Sequence, residues 1–196
     1  MHFFTDRFTG VDEKKLQVRV GKRKLIFMNQ IHSANVEVVD KNSTSIVSKT
    51  DAIITTDKDV ALGVRAADCI PVIFVDKVRG AVGVAHAGRV GSYKGIIKKT
   101  IRKMVDEFTC KEKDIHVIFG PSIKKCCYEV GIEVVEGFEE FTCKENGKIY
   151  LDLIALNTQG LENFEVISTC TCCDKNYFSY RRDATKERFC GVVCTS

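Results

Sequence analysis

Proline is scarce in this chain, with two residues in 196, and there is no low-complexity run and no block of like charges. Extended disorder is excluded on that ground. The N-terminal stretch Met1-His2-Phe3-Phe4-Thr5-Asp6-Arg7 lacks the apolar core and small-residue cleavage site of a secretory signal. The longest apolar runs, Ile70–Val75 and Ala81–Ala85, are far too short to cross a bilayer. No basic stripe is present either: 30 Lys+Arg are interleaved with 26 Asp+Glu, for a net charge of +4. Such a pattern leaves no footprint for nucleic acid. Without a repeat or a linker rich in Gly, Ser or Pro, one domain over residues 1–196 is expected. The lack of a targeting segment makes the cytoplasm the expected compartment.

What is present is an ordinary globular balance, 44% hydrophobic and 29% charged, together with ten cysteines. A chain of this length buries roughly 70% of its extended surface, so disulfides are not needed for stability. In a reducing compartment, clustered cysteines point to metal, catalysis or simple burial.

Short β-branched runs predict strands at Lys24–Met28, Asn35–Val39, Asp51–Thr55 and Ala61–Val64. Pro71–Val75 and Ala81–Ala85 are almost continuously apolar and are joined by a short connector ending in Gly80. They predict an antiparallel hairpin buried on both faces, hence a layered α/β arrangement. The stripe Ile96, Ile97, Ile101, Met104, Val105 and Phe108 predicts a helix over Tyr93–Phe108, with Ser92 as its N-cap. Ile115–Phe119 and Asn163–Thr169 are expected as strands, and Ile132–Phe141 and Ile154–Gly160 as helices.

There are four histidines. His2 is terminal, and His116 alternates within a strand. His32 and His86 each follow or close a core strand, and Cys69 opens another. Strand ends are where α/β proteins build sites. Two histidines and a cysteine there can hold a zinc ion with an open fourth position. The same residues can instead form a Cys-His hydrolase pair, with His86 lowering the Cys69 thiol pKa. A buried structural cysteine is the plainest alternative.

Several motifs occur in order: Gln30-Ile31-His32-Ser33-Ala34-Asn35-Val36, Asp51-Ala52-Ile53-Ile54, Ala67-Asp68-Cys69-Ile70-Pro71-Val72 and Ala85-His86-Ala87-Gly88. Gly120-Pro121-Ser122-Ile123 with Cys126–Gly131, Leu151-Asp152-Leu153 with Asn157, and Cys170-Thr171 with Phe178–Arg182 follow. In that register, from about Gln30 onward, the chain resembles the polyphenol-oxidase/laccase-domain family of the YfiH/YlmD type, also called peptidoglycan editing factor or purine nucleoside phosphorylase. The resemblance implies a single α/β domain, a layered sandwich with a mixed sheet, of the fold shared with a toxin cysteine-hydrolase domain. It implies phosphorolysis of adenosine, inosine, guanosine and methylthioadenosine, with adenosine deamination, so purine nucleoside and phosphate are the expected partners. It also implies zinc on His32, Cys69 and His86, an older description having copper instead. Four histidines cannot furnish a multicopper cluster.

The chain departs from the family at His86-Ala87-Gly88-Arg89-Val90-Gly91, where the resemblance leads one to expect His-Ala-Gly-Trp-Arg-Gly, and it has a shortened start. Arg89, Arg181 and Arg182 are the expected phosphate contacts, with Arg65 and Arg7 behind them. Asp68 is a candidate base or orienter of a ligand histidine, the alternative being that it caps a turn. Cys170, Cys172, Cys173, Cys190 and Cys194 are weighed as a second zinc set, with partly buried reduced thiols as the expectation. Cys126-Cys127 is expected to pack at the start of an element. Two other readings stay open: a cysteine hydrolase acting on peptidoglycan precursors, and a non-catalytic metal-binding protein.

Overall fold

The structure, a computed structural model, describes residues 1–195. In chain order the elements are β1 (His2–Phe4), α1 (Glu13–Val20), β2 (Lys24–Met28), β3 (Val36–Val38), β4 (Ile46–Val47), β5 (Ala52–Thr55), β6 (Val60–Ala66), β7 (Ile70–Asp76) and β8 (Ala81–Ala87). The second half holds α2 (Arg89–Tyr93), α3 (Ile96–Phe108), β9 (Ile115–Phe119), β10 (Glu129–Val130), β11 (Thr142–Glu145), β12 (Lys148–Leu151), α4 (Leu153–Thr158), β13 (Phe164–Val166), α5 (Tyr180–Asp183) and β14 (Phe189–Cys194).

Two mixed sheets, ordered β1-β14-β6-β2-β4 and β13-β9-β7-β8-β5-β3, pack face to face, and a small sheet β10-β12-β11 lies beside them. Side-chain alternation explains the layering. Ile53, Ile73, Val82, Val84 and Ile118 of the six-stranded sheet meet Ile26, Leu62, Val64 and Val193 of the five-stranded one. The opposite face of the six-stranded sheet, through Ile54, Val72, Phe74 and Ala85, takes Ile96, Ile97, Ile101 and Met104 of α3. Leu16 and Val20 of α1 cover Phe27, Ala61 and Val192 on the outer face of the other sheet. Strands β7 and β8 are therefore covered on both faces, which accounts for their unbroken apolarity. They pair antiparallel, Val72 opposite Ala85, as the sequence predicts.

The helix expected over Tyr93–Phe108 begins three residues later, at Ile96, the first residue of the apolar stripe. Gly95 sits at φ 73°, a left-handed conformation that separates α2 from α3. Ser92 is accordingly no cap for α3; it lies buried in α2, where its Oγ accepts from Asn157 Nδ2 at 2.8 Å. Residues 132–141 form two short 3₁₀ turns, Ile132–Val134 and Glu139–Phe141, instead of the expected helix. The Val134 carbonyl accepts from Tyr93 Oη at 2.7 Å, and Phe138 stacks on Tyr93 at 3.8 Å between ring centroids. Tertiary contacts thus take the groups a helix would need.

Candidate metal and nucleoside site

The site is built where β2, β6 and β8 end. Past β2, Gln30 clamps the next loop to β6: its Nε2 donates to Arg65 O at 2.9 Å and its Oε1 accepts from Arg65 N at 3.0 Å. The loop then turns sharply, with His32 at φ 59°. What holds it there is Asp51, the residue before β5 and fully buried. Its carboxylate accepts from the backbone N–H of Ile31, His32 and Ser33 at 3.1, 3.0 and 2.7 Å, and from Ser33 Oγ at 2.7 Å. Its fifth contact is His86 Nδ1, at 2.8 Å. The His86 amide also donates to Asp51 O at 2.7 Å, so backbone and side chain fix the imidazole together. Nδ1 being spent, Nε2 is the atom His86 presents to the site.

Cys69 follows Asp68, whose φ of 91° turns the chain between β6 and β7. The donor atoms of His32, Cys69 and His86 lie within 4.8 Å of one another, and the two imidazoles meet edge to face at 4.9 Å. Gly88 leaves the space between them open. A Cβ there would stand 3.0 Å from Cys69 Sγ and 3.1 Å from His32 Cδ2. Two imidazoles and a thiolate around a space kept clear by glycine fit a metal ion such as zinc.

The electrostatics are strongly coupled. Burial opposes ionisation of Cys69, but the neighbouring His86 charge and hydrogen bonds from His32 and His86 prevail and bring the thiol down to about 6. Burial likewise opposes charge on His86, yet the Cys69 thiolate and the Asp51 carboxylate raise it to about 9. For Asp51, desolvation is overcome by the His86, Ser33 and Ile31 hydrogen bonds, which hold it at about 2.

Above the three donors opens a cavity of about 580 Å³ whose walls include Arg65, Ile123, Tyr128, Tyr180, Arg181 and Arg188. Arg181 is anchored through Nη1 to Glu129 O at 2.9 Å, with its guanidinium 5.3 Å from the Tyr128 ring. The other expected cations are placed differently. Arg89 is not among the residues lining the cavity; its guanidinium lies 5.9 Å from the Tyr93 ring. Arg182 is not free for phosphate: its guanidinium donates to the carbonyls of Thr171, Cys172, Asp174 and Tyr177 and to the Asp183 carboxylate. Arg7 donates to Lys175 O and borders a second, adjoining cavity that shares Arg65 and Arg188. Asp68 borders the main cavity but touches neither histidine; Thr171 Oγ1 donates to it at 2.7 Å and the Arg181 amide at 2.6 Å. It ties the C-terminal segment to the site, closer to the turn-capping alternative than to a base.

Sequence reasoning missed Asp51 and Arg188. Asp51 had a signal, since it opens one of the recurring motifs one residue before a buried strand. Arg188 had none, because only the fold brings it to the cavity. The supposed set Cys170, Cys172, Cys173, Cys190 and Cys194 does not assemble: Cys190 and Cys194 are buried in β14 against α1. Cys126 is exposed, not packed.

The chain belongs to the multi-copper polyphenol oxidoreductase laccase family, whose model matches residues 2–196. Among its curated relatives, a purine nucleoside phosphorylase of Aquifex aeolicus is 41% identical over 174 residues, 86% of this chain and 81% of that one. Another of that name, from Corynebacterium glutamicum, is 35% identical over 182 residues, 87% and 74% of the two chains. Of solved structures, YfiH of Bacillus licheniformis superposes with a TM-score of 0.91 at 25% identity, covering 98% of this chain and 91% of that one. YlmD of Geobacillus stearothermophilus superposes with a TM-score of 0.87 at 27% identity, covering 94% and 78%. The family's descriptive name promises several coppers. Two histidines stand at the site; His116 lies near the start of β9, engaged with Asn163 at 2.8 Å. The donor set does not fit a multicopper cluster. No helix among the described residues is long and apolar enough to cross a membrane.

Proposed function

We propose that this protein is a purine nucleoside phosphorylase that holds one zinc ion on His32, Cys69 and His86, and that it deaminates adenosine at the same site. The observation that carries the reading is the convergence of the three donors beneath a cavity walled by Arg65, Arg181 and Arg188. When bound, zinc supplies Lewis acidity and a water activated near neutral pH.

The chain's own residues do the rest. In phosphorolysis a phosphate oxygen bonds to C1′ of the ribose while the C1′–N9 bond breaks and the purine leaves with the bonding electrons. The reaction needs phosphate held beside C1′, a task for guanidinium groups through paired charge-assisted hydrogen bonds. Arg181 is suited to it because its Nη1 is tied to the backbone, which aims the remaining donors. Tyr128, half-buried beside it, offers a flat apolar face for the purine. Asp51 keeps His86 oriented, and Gln30 with Asp51 keeps the His32 loop in place. The test is a nucleoside panel with and without phosphate. Ribose 1-phosphate formed only with phosphate supports the reading; equal turnover without phosphate, or free ribose, refutes phosphorolysis.

One observation favours a second reading, a cysteine hydrolase. Asp51, His86 and Cys69 form a line in which the metal-free site holds a thiolate beside an imidazolium. In such an enzyme Cys69 Sγ would attack an acyl carbon and His86 would pass its proton to the leaving amine. Chelation separates the two readings, since it would inactivate the zinc enzyme and spare the hydrolase.

A further inference from the structure

The thiols outside the site converge a second time. The Sγ atoms of Cys126, Cys127, Cys170 and Cys173 all lie within 4.8 Å of one another. Cys126 stands 3.7 Å from Cys127 and 3.8 Å from Cys173, and Cys127 stands 3.3 Å from Cys173. Four thiolates at about 2.3 Å from a tetrahedral zinc have their sulfurs about 3.8 Å apart. The three measured separations bracket that value and Cys170 lies within 4.8 Å of the other sulfurs, so the four thiols are gathered at the spacing of such a tetrahedron.

The backbone is built to hold it. Cys170-Thr171-Cys172-Cys173 contains a C-x₂-C pair, and the Cys173 and Asp174 amides turn back on Cys170 O at 3.2 and 2.9 Å. Opposite it, the amides of Cys127 and Tyr128 both turn back on Lys124 O, at 2.9 and 3.0 Å. A parallel bridge between Ser122 and Cys170 zips the two turns together, with Ser122 N donating to Thr169 O and Thr171 N to Ser122 O. Each turn delivers two sulfurs to one point. Lys124, whose Nζ donates to Ser122 Oγ at 3.0 Å, lies beside the cluster and offsets its negative charge.

We propose that Cys126, Cys127, Cys170 and Cys173 form a second metal site, an all-thiolate zinc centre with a structural role. Four protein sulfurs leave no open position for substrate. Its place in the fold states what it fastens. Tyr128, next to Cys127, lines the nucleoside cavity, and the Cys127 and Cys172 carbonyls accept from Arg181 and Arg182. Thr171, between the paired cysteines, donates to Asp68 beside Cys69. The zinc centre therefore pins the two segments that carry Tyr128 and Arg181 against the wall of the cavity.

The inference stands independently of the enzyme's reaction and is tested by metal binding. The full chain carrying Cys69→Ala, which cannot complete the first site, is reduced, stripped anaerobically and titrated with cobalt and then zinc. About one equivalent of cobalt should bind with the thiolate-to-cobalt charge transfer of a tetrahedral all-sulfur site, and zinc should displace it. Adding Cys127→Ser and Cys173→Ser should abolish that signal, whereas Cys143→Ser should leave it. Should the triple variant fail to fold, alkylation of the wild-type chain followed by peptide mass spectrometry supplies a second readout. Zinc should protect Cys126, Cys127, Cys170 and Cys173 and leave Cys143 reactive. No thiolate-cobalt signal, equal labelling with and without zinc, or a Cys127–Cys173 disulfide that forms in zinc-loaded protein would overturn the proposal.

Discussion

Asp51→Asn is the most informative single change, because one carboxylate serves both the loop and the ligand. The side chain is fully buried and accepts five hydrogen bonds, from Ile31, His32, Ser33 twice and His86. Asparagine keeps the shape but has one acceptor oxygen, and its amide hydrogens face donors. The folded pKa of Asp51, about 2, lies below the ordinary carboxylate value. That difference corresponds to about 2–3 kcal/mol of stability at neutral pH in the metal-free protein. The sign follows from the depression: the contribution is complete above the unfolded value, about pH 4, and is lost as pH falls toward the folded one. Urea melts should therefore show Asp51→Asn less stable by about 2–3 kcal/mol at pH 6, with the gap narrowing by pH 3. Zinc affinity should fall about 10–100-fold, since the imidazole loses its orienting partner. A variant with wild-type stability and wild-type zinc affinity would refute the claim that Asp51 organises the site.

Gly88→Ala should weaken zinc binding at least about tenfold while far-UV circular dichroism stays unchanged, since its φ of −78° suits alanine but its Cβ would crowd Cys69 and His32. Unaltered affinity, measured by competition with a chelator, would show that the space is not used. Arg181→Ala should raise the KM for phosphate by about 10–100-fold, the worth of a hydrogen bond to a charged group, whereas Arg89→Ala should leave it within about twofold. The reverse pattern in initial-rate kinetics would return the phosphate site to α2. Chelator should inactivate the wild type, and zinc should restore it; in Cys69→Ser, metal content and activity should fall together. Alkylation that inactivates a chelator-resistant enzyme would favour the hydrolase reading.

The sheet core was legible because its signal is compositional. Runs such as Ile70–Asp76 and Ala81–Ala87 are apolar on both faces only where layers cover both, and the structure places α3 on one side and a second sheet on the other. Elements held by tertiary contacts were not legible. Residues 132–141 have helical composition, yet their backbone and rings answer to Tyr93. In the hairpin of β11 and β12 Leu151 alone is buried, and β11 (Thr142–Glu145) has no apolar alternation to announce it.

Within the site, strand-end placement drew attention to His32, Cys69 and His86, and the fold brings their donor atoms within 4.8 Å of one another. The two aspartates beside them show where such reasoning runs out. Asp68 is adjacent to Cys69 in sequence, and adjacency suggested chemistry. At φ 91°, however, its carboxylate is directed to Thr171 and the Arg181 amide, and it fastens the C-terminal segment. Asp51 is remote from every ligand in sequence, 19 residues from His32 and 35 from His86. It touches both because β5 runs beside β8, with Ala52 opposite Ala85. Contact across a sheet is set by register, which no single sequence displays, whereas contact along the chain is displayed but carries no direction for the side chain. The same limit hid the meeting of Cys126-Cys127 with Cys170 and Cys173. Those thiols are joined by the Ser122–Cys170 bridge, and only the paired backbone makes four scattered sulfurs a single set of donors.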